Sequence, residues 1–414
     1  MKKKLLIITY HYPPDPSSNP YPTSSWAKYL SDFGWEPIIL TSVYGEARTS
    51  NVLNKRIVYR AKHEQAYKML VNWRKKIPSS KLSFKLLNFL LINFLLYPDE
   101  KRGWFEEAFK TGLSIAEKYP ISIILSVGAP WTDHCVASAL SMKLHIPWIA
   151  DYRDPWTQKT SAPYRVKWLI HNSISRVIEK KIVNSCSCCL HASDIWAEQL
   201  TALLKKRVFS IPNGYDLDDF SHVTELEPTT EKINISYVGT LHFTQRLDIF
   251  LEGFDIFVKQ SKISERKCRL NLIGTGEIAL IKQKYQPLGK YIHYIPYVSK
   301  EAAISYMAQS HILLLFLNDD TGWYPTKAFE YLACGRAILA SPDNGGVISE
   351  LLRMSGSGVA LNSPEEIALW LEETIREFHQ YGNVKISPNI QYTGQYERKN
   401  LTERLSGILN DQCR

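Results

Sequence analysis

Short apolar runs alternate with amphipathic stretches along the first half of the chain. Residues 5–9, 37–41, 121–127, 148–151 and 187–191 are apolar runs that end in polar loops, the pattern of strands buried on both faces. Between them, 24–33, 104–118 and 132–143 carry the spacing of helices. The second half repeats the scheme, with strands expected over 233–239, 269–274, 291–295, 312–316 and 337–341 and helices between. Strand-helix alternation in two blocks predicts an α/β class built from two doubly wound, Rossmann-like domains. The run 208–216 ends a strand in a turn, and the polar stretch 218–231 reads as a linker. The domains are therefore expected over 1–215 and 216–393. Residues 392–408 read as one helix, and the segment 394–414 is expected to return to the first domain and complete it.

The length of 414 residues suits two domains of ordinary size, and 45% hydrophobic content without a low-complexity tract makes both globular. Lys2-Lys3-Lys4 followed by Leu5 to Ile8 superficially resembles a leader, but the apolar run is short and ends at Tyr10 without a cleavage signal. It reads as a buried first strand. The most apolar run, 86–96, contains Asn88 and Asn93 and falls short of the ~20 residues a spanning helix needs, so no membrane span is expected. Seven scattered cysteines without a framework predict reduced thiols in a cytoplasmic protein. Cys186, Cys188 and Cys189 read as part of a strand and not as metal ligands.

Charge changes the picture in one region. The net charge is +9, but residues 1–210 carry +14 and the remainder −5. Between Lys55 and Lys85 ten basic residues face only Glu64, with Tyr67, Trp73 and Phe84 among them. Contact with an anionic membrane surface, at the inner face of the membrane, ranks ahead of a solvated insertion there. Nucleic acid ranks behind both, because no recognised nucleic-acid motif accompanies the charge.

The stretch from Pro325 to Gly335 holds the most informative chemistry. Thr326 is expected as N-cap and Gly335 as the stop of a short helix. Lys327, Glu330, Tyr331 and Cys334 then fall on one polar stripe, with Ala328, Phe329, Leu332 and Ala333 on the buried side. A cation and a carboxylate one turn apart at a helix start suit a nucleotide: the ammonium meets phosphate and the carboxylate accepts ribose hydroxyls. A solvated Lys-Glu pair is the alternative, and the helix alone leaves it ahead. Gly239, Thr240 and Arg246 follow the first strand of the same domain. Gly274 with Gly276, and Asn344-Gly345-Gly346, are further candidate anion turns. In the first domain, Asp151, Arg153, Asp154 and Trp156 at a strand end suit a sugar or acceptor pocket as well as a structural ion pair. His134 lies near the start of a helix, where a lone histidine is usually structural.

Taken in order, several segments resemble a family 4-type retaining glycosyltransferase of the GT-B fold. They are Tyr12-Pro13-Pro14, Tyr97-Pro98-Asp99-Glu100, the string from Asp151 to Trp156, Pro212-Asn213-Gly214-Tyr215-Asp216, and Lys327-x-x-Glu330-Tyr331-x-Ala333-x-Gly335. The resemblance implies two Rossmann-like domains facing across a cleft, with transfer of a hexose-type sugar from a nucleoside-diphosphate sugar to a glycan or lipid-linked acceptor. It implies retention of configuration, and neither a metal nor a further cofactor. Glu330 matches the residue that binds the ribose, while Lys327 and Arg246 would hold the diphosphate. Gly239, Thr240, Gly274 and Val298 would line the donor site. His134 matches the histidine near the transferred sugar, and Tyr12, Asp151, Arg153, Asp154, Trp156 and Asn213 would form the acceptor side.

Four features depart from the family pattern. The loop from Asp15 to Pro20 lacks a Gly-Gly pair. Thr240 and Gln245 stand where an arginine and a lysine are usual, which shifts that role to Arg246. Gly322 replaces an upstream glutamate. These departures support one rival, a catalytically degenerate binding or scaffold protein; a sugar-nucleotide epimerase on the same scaffold is the other.

Overall fold

The computed structural model of the protein describes residues 2–15, 22–44, 50–53, 56–64, 69, 72, 97–158, 166–223, 226–241, 245–276, 285 and 288–413. Most of the basic stretch from Lys55 to Lys85, and all of the apolar run 86–96, lies outside the described residues. The chain divides into two compact units, 1–213 with 398–414, and 214–397.

The first unit is built on an eight-stranded sheet. In chain order its strands are β1 (Lys3–Ile8), β2 (Trp35–Ser42), β3 (Ser50–Leu53), β4 (Arg56–Ala61), β5 (Ile121–Gly128), β6 (Trp148–Tyr152), β7 (Cys188–His191) and β8 (Val208–Ser210). Their spatial order is β3-β4-β2-β1-β5-β6-β7-β8, parallel except for β3. β1 lies centrally, with Leu5 level with Pro37 of β2 and Ile123 of β5. Its alternating side chains feed two cores. Leu5 and Ile7 join Trp26, Leu30 and Trp35 on one face, while Leu6 and Ile8 join Trp104, Leu140 and Trp148 on the other. Burial on both faces explains why these strands are continuous apolar runs.

The carboxy-terminal segment departs from the single helix expected over 392–408. Helix Ile390–Gly394 stops, and a second helix, Arg398–Gln412, begins after a break. The backbone between them is used elsewhere: Tyr215 N donates to Tyr396 O at 3.0 Å, and Tyr215 bridges Glu397. The second helix then lays Leu401, Leu405 and Leu409 into the Trp26 core of the first unit.

The second unit holds β9 (Ile233–Val238), β10 (Cys268–Ile273), β11 (Ile292–Ile295), β12 (Ile312–Phe316), β13 (Ala337–Ser341) and β14 (Gly358–Ala360). All are parallel, in the order β11-β10-β9-β12-β13-β14. Helix Leu247–Ser261 contributes Phe250, Phe254 and Phe257 to the core, packed with Ile367, Leu371, Ile375 and Phe378 of helix Pro364–Tyr381. Each fully buried ring is worth about 2–3 kcal/mol, well above an exposed pair such as Lys259–Asp255. A capping box formed by Ser363 and Glu366 starts the second of these helices. No helix among the described residues is long and apolar enough to cross a membrane.

Candidate functional site

In the second unit the strand order reverses between β9 and β12, so the connections after these two strands run to opposite sides. The resulting crevice at their carboxyl ends is the usual ligand position in an open parallel sheet. Gly239 directly follows β9, and helix Thr326–Cys334 follows β12. The fold brings the two together closely: a Cβ placed on Gly239 would stand 2.1 Å from Lys327 Nζ. Gly239 also has φ +125°, a conformation side-chain-bearing residues rarely adopt. Lys327 Nζ donates to the Tyr237 hydroxyl at 3.2 Å and lies 4.5 Å from the centre of that ring. The Tyr237 hydroxyl in turn donates to the Thr240 carbonyl at 3.0 Å. Burial lowers the Lys327 pKa to about 8, and the nearby Glu330 carboxylate opposes the shift.

Two expectations for this helix are corrected. Thr326 is its first residue and Pro325 stands at the N-cap with no side-chain cap, because the chain enters through the fixed backbone of proline. Tyr331 does not share an exposed stripe with Lys327. It is fully buried, and its hydroxyl accepts from Val238 N at 3.1 Å, pinning the helix to the end of β9. Glu330 is partly buried one turn after Lys327.

The remaining donor-side residues sit at neighbouring strand ends. Gly274 directly follows β10 at φ +71°, with the Gly239 backbone 3.7 Å from where its Cβ would stand. Thr240 is exposed and Val298, beyond β11, is half-buried. Arg246 lies at the entrance of helix Leu247–Ser261, but its guanidinium grips Asp248 with Nε–Oδ1 3.1 Å and Nη2–Oδ2 3.2 Å. Gln245 is turned inward and donates to the Phe316 carbonyl at 2.8 Å. The turn Asn344-Gly345-Gly346 is not an open anion nest. Its amides are taken by Asp343 Oδ1 and Asn344 Oδ1, and Val347 N donates to Thr321 O.

In the first unit the order reverses between β1 and β5, and a second cluster forms after them. His134, in helix Thr132–Leu144, is fully buried and its Nδ1 lies 2.8 Å from Ser126 Oγ. Its Nε2 has no partner among the described residues and faces the Gly128 backbone, where a Cβ would stand 2.8 Å away. Trp131, Trp148, Tyr152 and Trp156 surround the imidazole, and Trp131 stacks face to face on Trp156 with centroids 4.9 Å apart. Burial drives the His134 pKa down to about 3, so the ring is neutral.

Three residues expected to line a pocket are turned inward. Tyr12 belongs to the Trp26 core. Asp151 and Arg153 form a buried ion pair, with Arg153 Nε donating to Asp151 Oδ1 at 3.0 Å. Arg153 also reaches the Ile211 carbonyl at 2.9 Å and Asn213 Oδ1 at 3.3 Å, tying the end of β6 to the Pro212-Asn213-Gly214 turn. The motif is thus a brace between two loops, and its charges are used internally. Asp154 is exposed and Trp156 half-buried. Sequence reasoning passed over Tyr237, whose strand position hides its contact with Lys327, and Ser126, which lies inside an apolar strand.

Residues 232–377 match the family described as Glycosyl transferases group 1. The whole chain superposes on solved structures of that fold. HepE from Anabaena, solved in complex with UDP-glucose, aligns with TM-score 0.61 at 12% identity over 99% of both chains. Sucrose-phosphate synthase from Thermosynechococcus elongatus aligns with TM-score 0.58 at 16% identity, covering all of this chain and 96% of that one. An α,α-trehalose 6-phosphate synthase from Burkholderia multivorans gives TM-score 0.63 at 10% identity over 99% of both chains. No curated protein matches in sequence. The fold is that of GT-B glycosyltransferases, and the resemblance read from the motifs is borne out.

Proposed function

We propose that the protein transfers a glycosyl group from a nucleoside-diphosphate sugar to an acceptor. The observation that carries this reading is the apposition of Lys327 and Gly239 at the switch point of the second sheet, with Glu330 one turn further on. Only a glycine leaves room for an ammonium that close to the strand end, and a diphosphate could approach both the backbone and the charge. Cleavage of the glycosidic bond leaves negative charge on the departing diphosphate. Lys327, held in place by Tyr237, is positioned to stabilise that charge as it develops. Glu330 is assigned to the ribose. The motif resemblance assigns His134 to the reaction, and its neutral ring is enclosed against the Gly128 backbone and the Trp131 ring.

The acceptor is proposed to be a glycan or a lipid-linked intermediate, with retention of configuration and no metal. Support is the motif resemblance together with the basic first half of the chain. Calorimetric titration of a panel of nucleoside diphosphates, then detection of nucleotide release and sugar transfer by mass spectrometry, tests the reading. Tight binding lost in Glu330→Ala, with transfer by the wild type, is expected. Absence of both binding and transfer would overturn it.

One observation favours a binding protein without turnover. Arg246, the residue assigned to the missing basic position, is neutralised by its own Asp248, and Gln245 is turned to the core. Nucleotide binding at unchanged affinity in Arg246→Ala, with no transfer by the wild type, would support that alternative.

A further inference from the structure

The Tyr97-Pro98-Asp99-Glu100 segment takes no part in the donor site, yet its aspartate lies against the helix that carries His134. That helix begins at Thr132 behind Trp131, which supplies no side-chain cap. Asp99 supplies it from elsewhere in the chain. Its Oδ2 accepts from Thr132 N at 2.9 Å, and its Oδ1 accepts from Thr132 Oγ1 at 2.9 Å and from Lys101 N at 2.8 Å. The next residue is tied as well: Asp133 Oδ2 accepts from Tyr10 N at 2.8 Å, just beyond β1. Asp99, from outside the helix, and Asp133, in its first turn, each accept from a backbone amide. Between them they fix the helix entrance to the connections after β1 and before helix Phe105–Lys118.

We propose that Asp99 is a positioning residue for the reaction: it sets the entry of helix Thr132–Leu144 and thereby the placement of His134 and Trp131 beside the first-unit switch point. The geometry is specific, since one carboxylate bonds both the backbone and the side chain of Thr132. A usual N-cap side chain bonds one backbone amide, whereas Asp99 holds Thr132 through both carboxylate oxygens, which fixes direction as well as stability. Trp131 directly precedes Thr132 and His134 lies two residues after it, and a shift there moves the aromatic enclosure of the imidazole. This inference rests on the transferase reading for its kinetic consequence, but not for its structural one.

The experiment compares Asp99→Ala, Asp99→Asn and Thr132→Val in the full-length protein. Imidazole NMR of His134, assigned with His134→Gln, reports placement without any activity. Asp99→Ala is expected to shift the His134 resonances and to lower turnover about tenfold or more, with nucleoside-diphosphate affinity unchanged. Asp99→Asn keeps one acceptor and should restore part of both signals. Thr132→Val, which loses only the hydroxyl, should show a smaller change of the same kind and serves if Asp99→Ala fails to fold. Unchanged His134 resonances in the folded variants would overturn the proposal. So would a turnover loss that asparagine does not relieve. If the wild type transfers no sugar while Asp99→Ala still shifts the His134 resonances, the transferase reading fails and the positioning role stands.

Discussion

Lys327 occupies the space that a side chain on Gly239 would fill: its Nζ stands 2.1 Å from the place of the absent Cβ. The two residues are far apart in sequence and meet because β9 and β12 are neighbours at the reversal of strand order. Gly239→Ala is therefore expected to act twice. The left-handed φ of +125° strains any other residue by about 1–3 kcal/mol, and the methyl group displaces the ammonium. Urea unfolding should show that loss of stability, and calorimetry should show at least tenfold weaker nucleoside-diphosphate binding. Wild-type affinity in the variant would remove Lys327 from the site.

The depressed Lys327 pKa gives the binding a pH signature. The ammonium is charged below about pH 8 and loses its proton above it. Affinity for a nucleoside diphosphate should thus fall as pH rises from 7 to 9.5, with the midpoint above 8 because the bound anion favours the charged form. Lys327→Met should bind weakly and with little pH dependence over the same range. Calorimetric titration at several pH values checks both, and an equal slope in the two proteins would contradict the assignment.

Asp151 and Arg153 test whether the first-unit motif is a brace. Burial raises the Asp151 pKa to about 6 even beside the guanidinium, so the pair depends on its partner. Arg153→Met leaves a carboxylate buried and also frees the Ile211 carbonyl, which should cost about 3–5 kcal/mol in urea unfolding. The double variant Asp151→Leu with Arg153→Met should recover part of that loss. Equal losses in single and double variants would show that the charges do not act as a pair.

The central strands and most helices of both units were legible because burial on both faces of a parallel sheet writes itself as apolar runs. β3, β4 and β14 were not legible: β3 and β14 are short edge strands, and Arg56 and Arg60 interrupt the apolar pattern of β4 beside the edge. Lys327, Glu330 and Gly239 were legible because each stands at a strand or helix end in a recognisable motif. The inward turn of Asp151, Arg153 and Tyr12 was not. Polar residues at a strand end look the same in sequence whether they face a ligand or a neighbouring loop, and only the position of Ile211 and Asn213 decides between them. Tyr331 misled for a related reason, since a hydroxyl at helical spacing can satisfy a strand-end amide from within the core.

Glu179 offers a test of stability in the first unit. It is fully buried in helix Val166–Val183, where its carboxylate accepts from the Thr157 hydroxyl. Burial raises its pKa to about 7, with the Thr157 hydrogen bond opposing the shift. A carboxyl whose folded pKa lies above its unfolded value of 4.5 keeps its proton longer in the folded state. Its contribution is therefore fully present at low pH and is lost as pH rises from about 4.5 through about 7, by roughly 3 kcal/mol if taken alone. Buried His134 and His191 act in the opposite sense, because their lowered pKa values make the folded state lose stability as pH falls below 6.5. The wild-type profile mixes the two, so the informative quantity is the difference from Glu179→Gln, which keeps an acceptor for Thr157 and cannot ionise. Unfolding free energies measured between pH 5 and 8 should show the wild type losing stability relative to the glutamine variant as pH rises, with the histidine contributions cancelling. Parallel profiles across that range would place Glu179 in contact with water and at an ordinary pKa.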